Sequence, residues 1–271
     1  MVKIYGIVGH PVTNSLSPAI HNAAFKAEGI DAEYRVFDID PGKPDDFANF
    51  CFETDLNNIG GFSVTMPYKQ EIMQYMDYYD PLAKIIGSAN TVSNEDSQLV
   101  GYNTDSTGAI QALQEKTDLS GKKVLIMGAG GAARAIAYGL KEFGGDVYIF
   151  NRTLEKAKKL AQDFDLDVID YLDIAKENFQ IIINTTPTGS SPNSEESLLS
   201  ASQIPKGCIV MDLVTNPIKT QLLKEAEEAG AETISGERML LFQAAGQFEI
   251  WFGKTAPVEA MEKALYENLK I

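Results

Sequence analysis

Short apolar runs alternate with amphipathic stretches from one end of the chain to the other. Residues 3–8, 34–38, 60–65, 123–127, 146–150, 180–184 and 208–212 form brief runs dominated by Val, Ile, Tyr, Phe and Leu, the pattern of strands. Apolar positions recur at helical spacing over 18–28, 44–53, 68–76, 104–115, 131–143, 154–163 and 218–228, and again from Glu237 toward the C-terminus. Such alternation belongs to the α/β class, with βα units joined into mainly parallel sheets. The stretch SNEDSQL between Val92 and Val100 reads as a hairpin turn. TDLSGK, ending at Lys122, reads as a short connection before a fresh strand and as a place for the chain to change domain. Another connection is expected near 235–237.

Composition narrows the class without altering it. A length of 271 residues allows one large domain or two modest ones, and 44% hydrophobic with 23% charged residues suits a packed globular chain. The N-terminal MVKIYGIVGH reads as a strand rather than a signal peptide, and no run of apolar residues is long enough to span a membrane. Cys51 and Cys208 lie far apart with no Cys or His at metal-ligand spacing, and only His10 and His21 add to them. That argues for a reduced, cytoplasmic protein without a structural zinc. A formal charge of −15 speaks against nucleic-acid and anionic-membrane partners. It also sets a condition: an anionic ligand would need local positive potential from Lys, Arg or helix N-termini.

The strand pattern KKVLIM runs directly into Gly128-Ala129-Gly130-Gly131-Ala132-Ala133 and then into helical patterning. This is GxGxxA between a strand and a helix. Its glycines allow a tight turn and close approach of a pyrophosphate, and the small last residue lets helix and strand pack. A tight βα turn without a ligand is the plain alternative, but the strand, turn, helix and following strand DVYIF together favour a dinucleotide. After that second strand, an acid usually holds the ribose 2′-hydroxyl of NAD. Here Asn151-Arg152-Thr153 follow instead, and an arginine suits the 2′-phosphate of NADP. Lys156, a turn further on, either adds charge there or is a solvated helix lysine.

Polar residues gather at other strand ends and turns. Ser17 before Pro18 has the form of a helix N-cap followed by N1, and with Ser15 it offers two hydroxyls at a helix start where a carboxylate could bind. GFSVTMPYK brings Thr65 and Lys69, GSANT brings Asn90, and GYNTD brings Asp105. A lysine and an aspartate meeting there could exchange a proton with a hydroxyl or alkoxide. Taken singly, Lys69 reads as a surface lysine and Asp105 as a helix cap.

The blocks GHPVTNSLSPAIHN, GFSVTMPYK, GSANT, GYNTDSTG, GAGGAAR with NRT, NTTPTG, DLVTNPIKT and GERMLLFQAAGQFEIW cover almost the whole chain in order. Together they resemble the shikimate dehydrogenase family, which interconverts 3-dehydroshikimate and shikimate with NADP in aromatic amino-acid biosynthesis. The resemblance implies that Ser15 and Ser17 bind the substrate carboxylate and that Thr65, Lys69, Asn90, Asp105 and Gln243 surround the ring hydroxyls. It makes Lys69 and Asp105 the catalytic pair. It further implies that Gly128, Ala129, Gly130, Gly131, Ala132, Asn151, Arg152, Leu213 and Gly236 line the NADP site, with Thr153 and Lys156 as candidates beside Arg152 from the residue pattern. The arrangement expected is a substrate domain over 1–103, completed by 238–271, and a Rossmann-like NADP domain over 104–237.

Two positions depart from the family's blocks: Ser63 stands where Asn is usual, and Thr215 where Tyr is usual. Thr215 is expected to border the substrate, so both bear on which ring acid is taken. The alternatives are a quinate/shikimate dehydrogenase paralogue and a ligand sensor of the same fold without catalysis. Retention of both Lys69 and Asp105 favours the enzyme, and a monomer or a homodimer is compatible with it.

Overall fold

The computed structural model describes residues 2–54 and 57–269. The chain divides into two compact units, Met1–Asp105 with Leu240–Ile271, and Ser106–Met239.

The first unit opens with strand β1 (Lys3–Gly9), helix α1 (Ser17–Ala27), β2 (Ala32–Asp38), α2 (Pro44–Phe52) and β3 (Ile59–Val64). It continues with β4 (Tyr78–Tyr79), α3 (Pro81–Ile86), β5 (Thr91–Glu95) and β6 (Gln98–Tyr102). Its sheet has the order β2-β1-β3-β5-β6-β4. The pairings β1 with β2, β1 with β3 and β4 with β6 are parallel, whereas β5 is antiparallel to both β3 and β6. The antiparallel part is the hairpin around SNEDSQL. Asp96 and Ser97 at its tip both take positive φ, 51° and 65°, as a two-residue turn matched to strand twist requires.

Helix α4 (Asp105–Gln114) leads into the second unit, with β7 (Lys123–Met127), α5 (Gly131–Glu142), β8 (Asp146–Phe150), α6 (Leu154–Phe164), β9 (Asp167–Val168) and α7 (Tyr171–Ile174). Next come β10 (Ile181–Asn184), β11 (Ile209–Asp212), α8 (Gln221–Ala229) and β12 (Glu232–Ile234), after which α9 (Gly236–Phe252) and α10 (Val258–Asn268) return the chain to the first unit. All pairings in the second sheet are parallel, in the order β12-β11-β10-β7-β8-β9. Numbered from β7, that is the strand order of a doubly wound dinucleotide-binding fold. The strands IIIN and IVMD are buried throughout, as a parallel sheet covered on both faces demands.

The sheet of the first unit is covered on both faces. Tyr5, Ile7, Ile20, Phe25, Phe248, Met261 and Leu265 form one core with α1, α9 and α10. Phe47, Phe62, Val64, Tyr68, Ile72 and Leu99 form the other. Fully buried side chains such as Phe62 and Phe248 each contribute about 1.5–3 kcal/mol by leaving water.

Several expectations are corrected. The helix expected over 68–76 is only a 3-10 stretch, Glu71–Tyr75. Tyr68 is drawn into the core, stacked on Phe47 with its hydroxyl on the Ile39 carbonyl, and Asp77 is held at Leu99, its N–H donating to the Leu99 carbonyl and its Oδ2 accepting the Leu99 N–H. These ties leave too few residues for a longer helix. The helical stretch from 237 onward comprises α9 and α10, parted where Gly253 takes φ 62° and ends α9. The connection expected near 235–237 is the single residue Ser235, between β12 and α9. Ser17 is the first residue of α1 rather than its cap, a place taken by Leu16 without a side-chain bond, and Ser15 Oγ accepts the Ser17 N–H at 3.2 Å. TDLSGK joins α4 to β7 inside the second unit. Helix α4 belongs there because it packs on α5: a Cβ on Gly139 would lie 2.6 Å from Ser106 Oγ and 2.9 Å from Ile110 Cγ1.

Candidate active site

In the first unit, three segments converge beyond the sheet. Lys69 follows β3, Asn90 precedes β5, and Asp105 opens α4. Backbone bonds fix their spacing: Ala89 N donates to Lys69 O at 2.9 Å, Val64 N to Asn90 O at 2.7 Å, and Asn90 N to Tyr102 O at 3.1 Å. Lys69 Nζ then donates to Asp105 Oδ2 at 2.5 Å, with the side chains 17% and 3% exposed. Asn90 Nδ2 reaches Asp105 Oδ1 at 2.9 Å, so both carboxylate oxygens have a donor. The Asp105 backbone N–H is taken by Asn103 Oδ1 at 3.1 Å.

A buried ion pair is tolerable only when its remaining lone pairs are satisfied, and these side chains do that. Asn90 Oδ1 accepts from Thr104 N and from Thr91 Oγ1, both at 2.8 Å. Gln243 Oε1 lies 3.2 Å from Asn90 Nδ2, while Gln243 O accepts from Thr104 Oγ1 at 3.0 Å. The lysine ammonium has three donors and spends one on Asp105. The arrangement therefore holds a cation at a fixed point with N–H groups left for an oxygen ligand.

Ser63 lies deeper, in a second polar layer. Its hydroxyl donates to Gln247 Oε1 at 2.8 Å and meets the Tyr34 hydroxyl at 2.6 Å. His21 Nε2 shares Gln247 Oε1 at 3.1 Å, and its ring stacks on Tyr34 at 4.4 Å. Burial drives the His21 pKa down to about 3, with the Gln247 contact opposing, so the imidazole is neutral at ordinary pH. Burial likewise pushes the Tyr34 phenol upward, against its hydrogen bonds to Ser63 and Ser17. Gln247 Nε2 returns to Asn90 O at 3.3 Å, which links the two layers. Ser15 and Ser17 sit at the start of α1, and Thr65 follows β3 with its carbonyl accepting from Tyr68 N at 3.0 Å.

The second unit offers a different surface. Gly128 leaves β7 with φ 122°, and a Cβ there would lie 2.2 Å from Thr185 Oγ1, so only glycine fits. Gly130 is the N-cap of α5 and supplies no side-chain bond, leaving Gly131 and Ala132 at an uncapped helix start; a Cβ on Gly130 would meet nothing within 4 Å. Ala129 lies between them on the turn. After β8, Asn151 Nδ2 donates to Thr153 O at 2.9 Å. Thr153 caps α6 through its backbone alone, and Arg152 and Lys156 are exposed, with no ion pair among the described residues. Leu213 and Thr215 lie on the loop after β11, and Gly236 begins α9 against the Leu213 carbonyl. An open cradle, free helix N–H groups and an unpaired arginine suit a phosphorylated dinucleotide.

Residues 7–92 match the family model described as the shikimate dehydrogenase substrate binding domain. Residues 111–223 match shikimate/quinate 5-dehydrogenase, and 236–266 the shikimate 5′-dehydrogenase C-terminal domain. A shikimate dehydrogenase (NADP(+)) of Methanobrevibacter smithii is 41% identical, over 99% of this chain and 98% of the relative. The chain belongs to the shikimate dehydrogenase family. Among solved structures, a shikimate dehydrogenase in complex with NADP+ is 39% identical, with TM-score 0.94 over 100% of this chain and 96% of that one. The shikimate 5-dehydrogenase of Thermus thermophilus, in complex with NADP(H) and shikimate, is 32% identical, with TM-score 0.91 over 98% of this chain and 100% of that one. Both domains of the family fold are thus present, the substrate domain and the Rossmann-like domain.

Some residues of this family member escaped the sequence reading. Asn103, Thr104 and Gln247 complete the polar centre, and only their place within the blocks GYNTD and QAAGQF pointed to them. In the second unit, Asn184 donates to Asp212 Oδ1 at 2.9 Å and Thr220 to Oδ2 at 2.7 Å, fixing the loops after β10 and β11. Burial raises the Asp212 pKa against those hydrogen bonds. Nothing in the pattern of the chain pairs these three residues.

Proposed function

We infer that the protein is an NADP-dependent shikimate dehydrogenase, reversibly reducing the ring ketone of 3-dehydroshikimate to the hydroxyl of shikimate. The observation that carries the reading is the Lys69–Asp105 pair at 2.5 Å, held by Asn90 in a centre that is buried but keeps lysine N–H groups unspent. NADP, when bound, supplies or accepts the hydride. The chain's own residues handle charge and the proton. Lys69 donates to the carbonyl oxygen, stabilises the developing oxyanion and delivers the proton to it; in oxidation it takes that proton back. Asp105 keeps the ammonium aimed and is itself aimed by Asn90 and the Asn103 side chain. Ser15 and Ser17 take the substrate carboxylate, Thr65, Asn90 and Gln243 orient the ring hydroxyls, and Thr215 borders the ring.

The residues of the second unit fit NADP. Gly128 to Ala132 receive the pyrophosphate at the α5 N-terminus, Arg152 with Thr153 and Lys156 takes the 2′-phosphate, Asn151 shapes that turn, and Leu213 and Gly236 line the other end. These cationic and N–H groups supply the local positive potential that a chain of charge −15 otherwise lacks. Buried, unpaired Cys51 and Cys208 accord with a reducing cytoplasm, and no helix of the described residues is long and apolar enough to cross a membrane. The test is the rate of NADP reduction with shikimate, with quinate and NAD as competitors in parallel assays. Shikimate with NADP should be the preferred pair. Turnover with quinate and NAD but not with that pair would favour the paralogue, and binding without turnover would favour the sensor.

A further inference from the structure

Glu237, the second residue of α9, is 5% exposed. Its Oε1 accepts the Ser235 hydroxyl at 2.6 Å, but its Oε2 is buried with no hydrogen-bond partner. No ion pair among the described residues includes it, and its neighbour Arg238 makes a two-point contact with Glu115. A buried carboxylate oxygen without a donor is costly, and such a group in a folded protein calls for an explanation, a bound ligand or a functional role among them.

The sheet order gives the place of this residue. The glycine turn leaves β7, with β8 and Arg152 to one side and β10, β11 and β12 to the other. A dinucleotide with its pyrophosphate at that turn and its 2′-phosphate at Arg152 has the nicotinamide nucleoside on the β10–β11 side. Glu237 belongs to that side. A Cβ on the preceding Gly236 would lie 2.6 Å from Leu213 O and 2.7 Å from Val214 O, so the start of α9 is pressed against the end of β11.

We propose that Glu237 binds the nicotinamide nucleoside of NADP, its free Oε2 accepting from a neutral N–H or O–H donor and its charge favouring the oxidised cofactor. The oxidised ring is cationic and the reduced ring neutral, so a nearby carboxylate separates the two in affinity whereas a neutral amide does not. This rests on the placement of NADP along the carboxyl edge of the second sheet.

Equilibrium titration of the full-length protein with NADP+ and, separately, with NADPH tests the proposal on wild type, Glu237→Gln and Glu237→Asp. In Glu237→Gln the Kd for NADP+ should rise about tenfold and that for NADPH no more than about threefold. Glu237→Asp, which keeps the charge, should retain most of the wild-type ratio and carries the test if the glutamine variant does not fold. Equal changes for the two cofactors, no change, a larger loss for NADPH, or the same ratio in both variants would overturn the role of Glu237. Wild type that binds neither cofactor would instead remove the placement of NADP itself.

Discussion

The polar centre of the first unit and the carboxyl edge of the second are built on opposite plans. Around Lys69 and Asp105, Asn90, Asn103, Thr104 and Gln243 satisfy one another's hydrogen bonds, and almost every group is spoken for within the unit. Around Gly128 and Arg152 the opposite holds: α5 starts without a side-chain cap, and Arg152 is exposed with no ion pair among the described residues. One region is organised in advance to hold a single proton-bearing cation at a fixed point. The other leaves its donors and acceptors open for a large, charged ligand. A proton site needs position, whereas a nucleotide site needs unspent valence.

Breaking the first region at its cation should have the largest effect. Lys69→Ala is expected to lower kcat by roughly two to four orders of magnitude with a smaller change in KM, read by steady-state kinetics on the folded variant. Near wild-type turnover would remove Lys69 as the proton carrier.

The corresponding break in the second region is Arg152→Ala. Only NADP carries a phosphate for the guanidinium, so affinity for NADP should fall about tenfold or more while that for NAD barely moves. Equal losses in parallel titrations would contradict the placement.

A third experiment sharpens the claim that the first region is closed to water. His21 has a folded pKa of about 3 against an ordinary value of 6.5, so at mildly acid pH the unfolded chain takes up a proton that the folded chain refuses. Stability from this group is therefore complete above the ordinary value and is lost as pH falls from there toward the folded one. Between about pH 7 and about pH 5 the loss should be about 2 kcal/mol, and His21→Phe should not show it. Urea unfolding of both proteins at the two pH values measures the difference. Equal pH dependence in wild type and variant would mean that His21 is not buried neutral.

The smallest effect is expected at the start of α1. Ser17→Ala should raise KM for shikimate several-fold, by about 1 kcal/mol for one lost hydrogen bond, and leave cofactor affinity unchanged. Because Leu16 rather than Ser17 caps α1, thermal stability should change little. A large drop in Tm with unchanged KM would make Ser17 purely structural, as a partner of Tyr34.

The second region was the more legible in sequence because its logic is local. A strand, a glycine turn and a helix follow one another without a break from Lys123 to Glu142, and β7 and β8 have the bounds their pattern predicts. Lys69, Asn90 and Asp105 were legible only as residues of matching blocks, since their meeting depends on which strands pair. Register alone makes Gly61 face Ser93 and Thr91 face Tyr102, and no periodicity encodes it. The short edge strands β4, β9 and β12 and the brief helices α3 and α7 carry too few residues for a period to register. The network of Ser63, Tyr34, Gln247 and His21 was illegible for the same reason: its members lie up to 226 positions apart. It shows that the serine at position 63 sits within a closed set of buried partners.

The measurement that tests the account most directly is a double-mutant cycle on the pair itself, with kcat for shikimate oxidation in wild type, Lys69→Ala, Asp105→Ala and the double variant. If Asp105 acts by aiming the lysine, the double variant should be no slower than Lys69→Ala, because nothing remains to be aimed. Losses that simply add on the free-energy scale would contradict the account, since they would mean that the two residues serve the reaction independently.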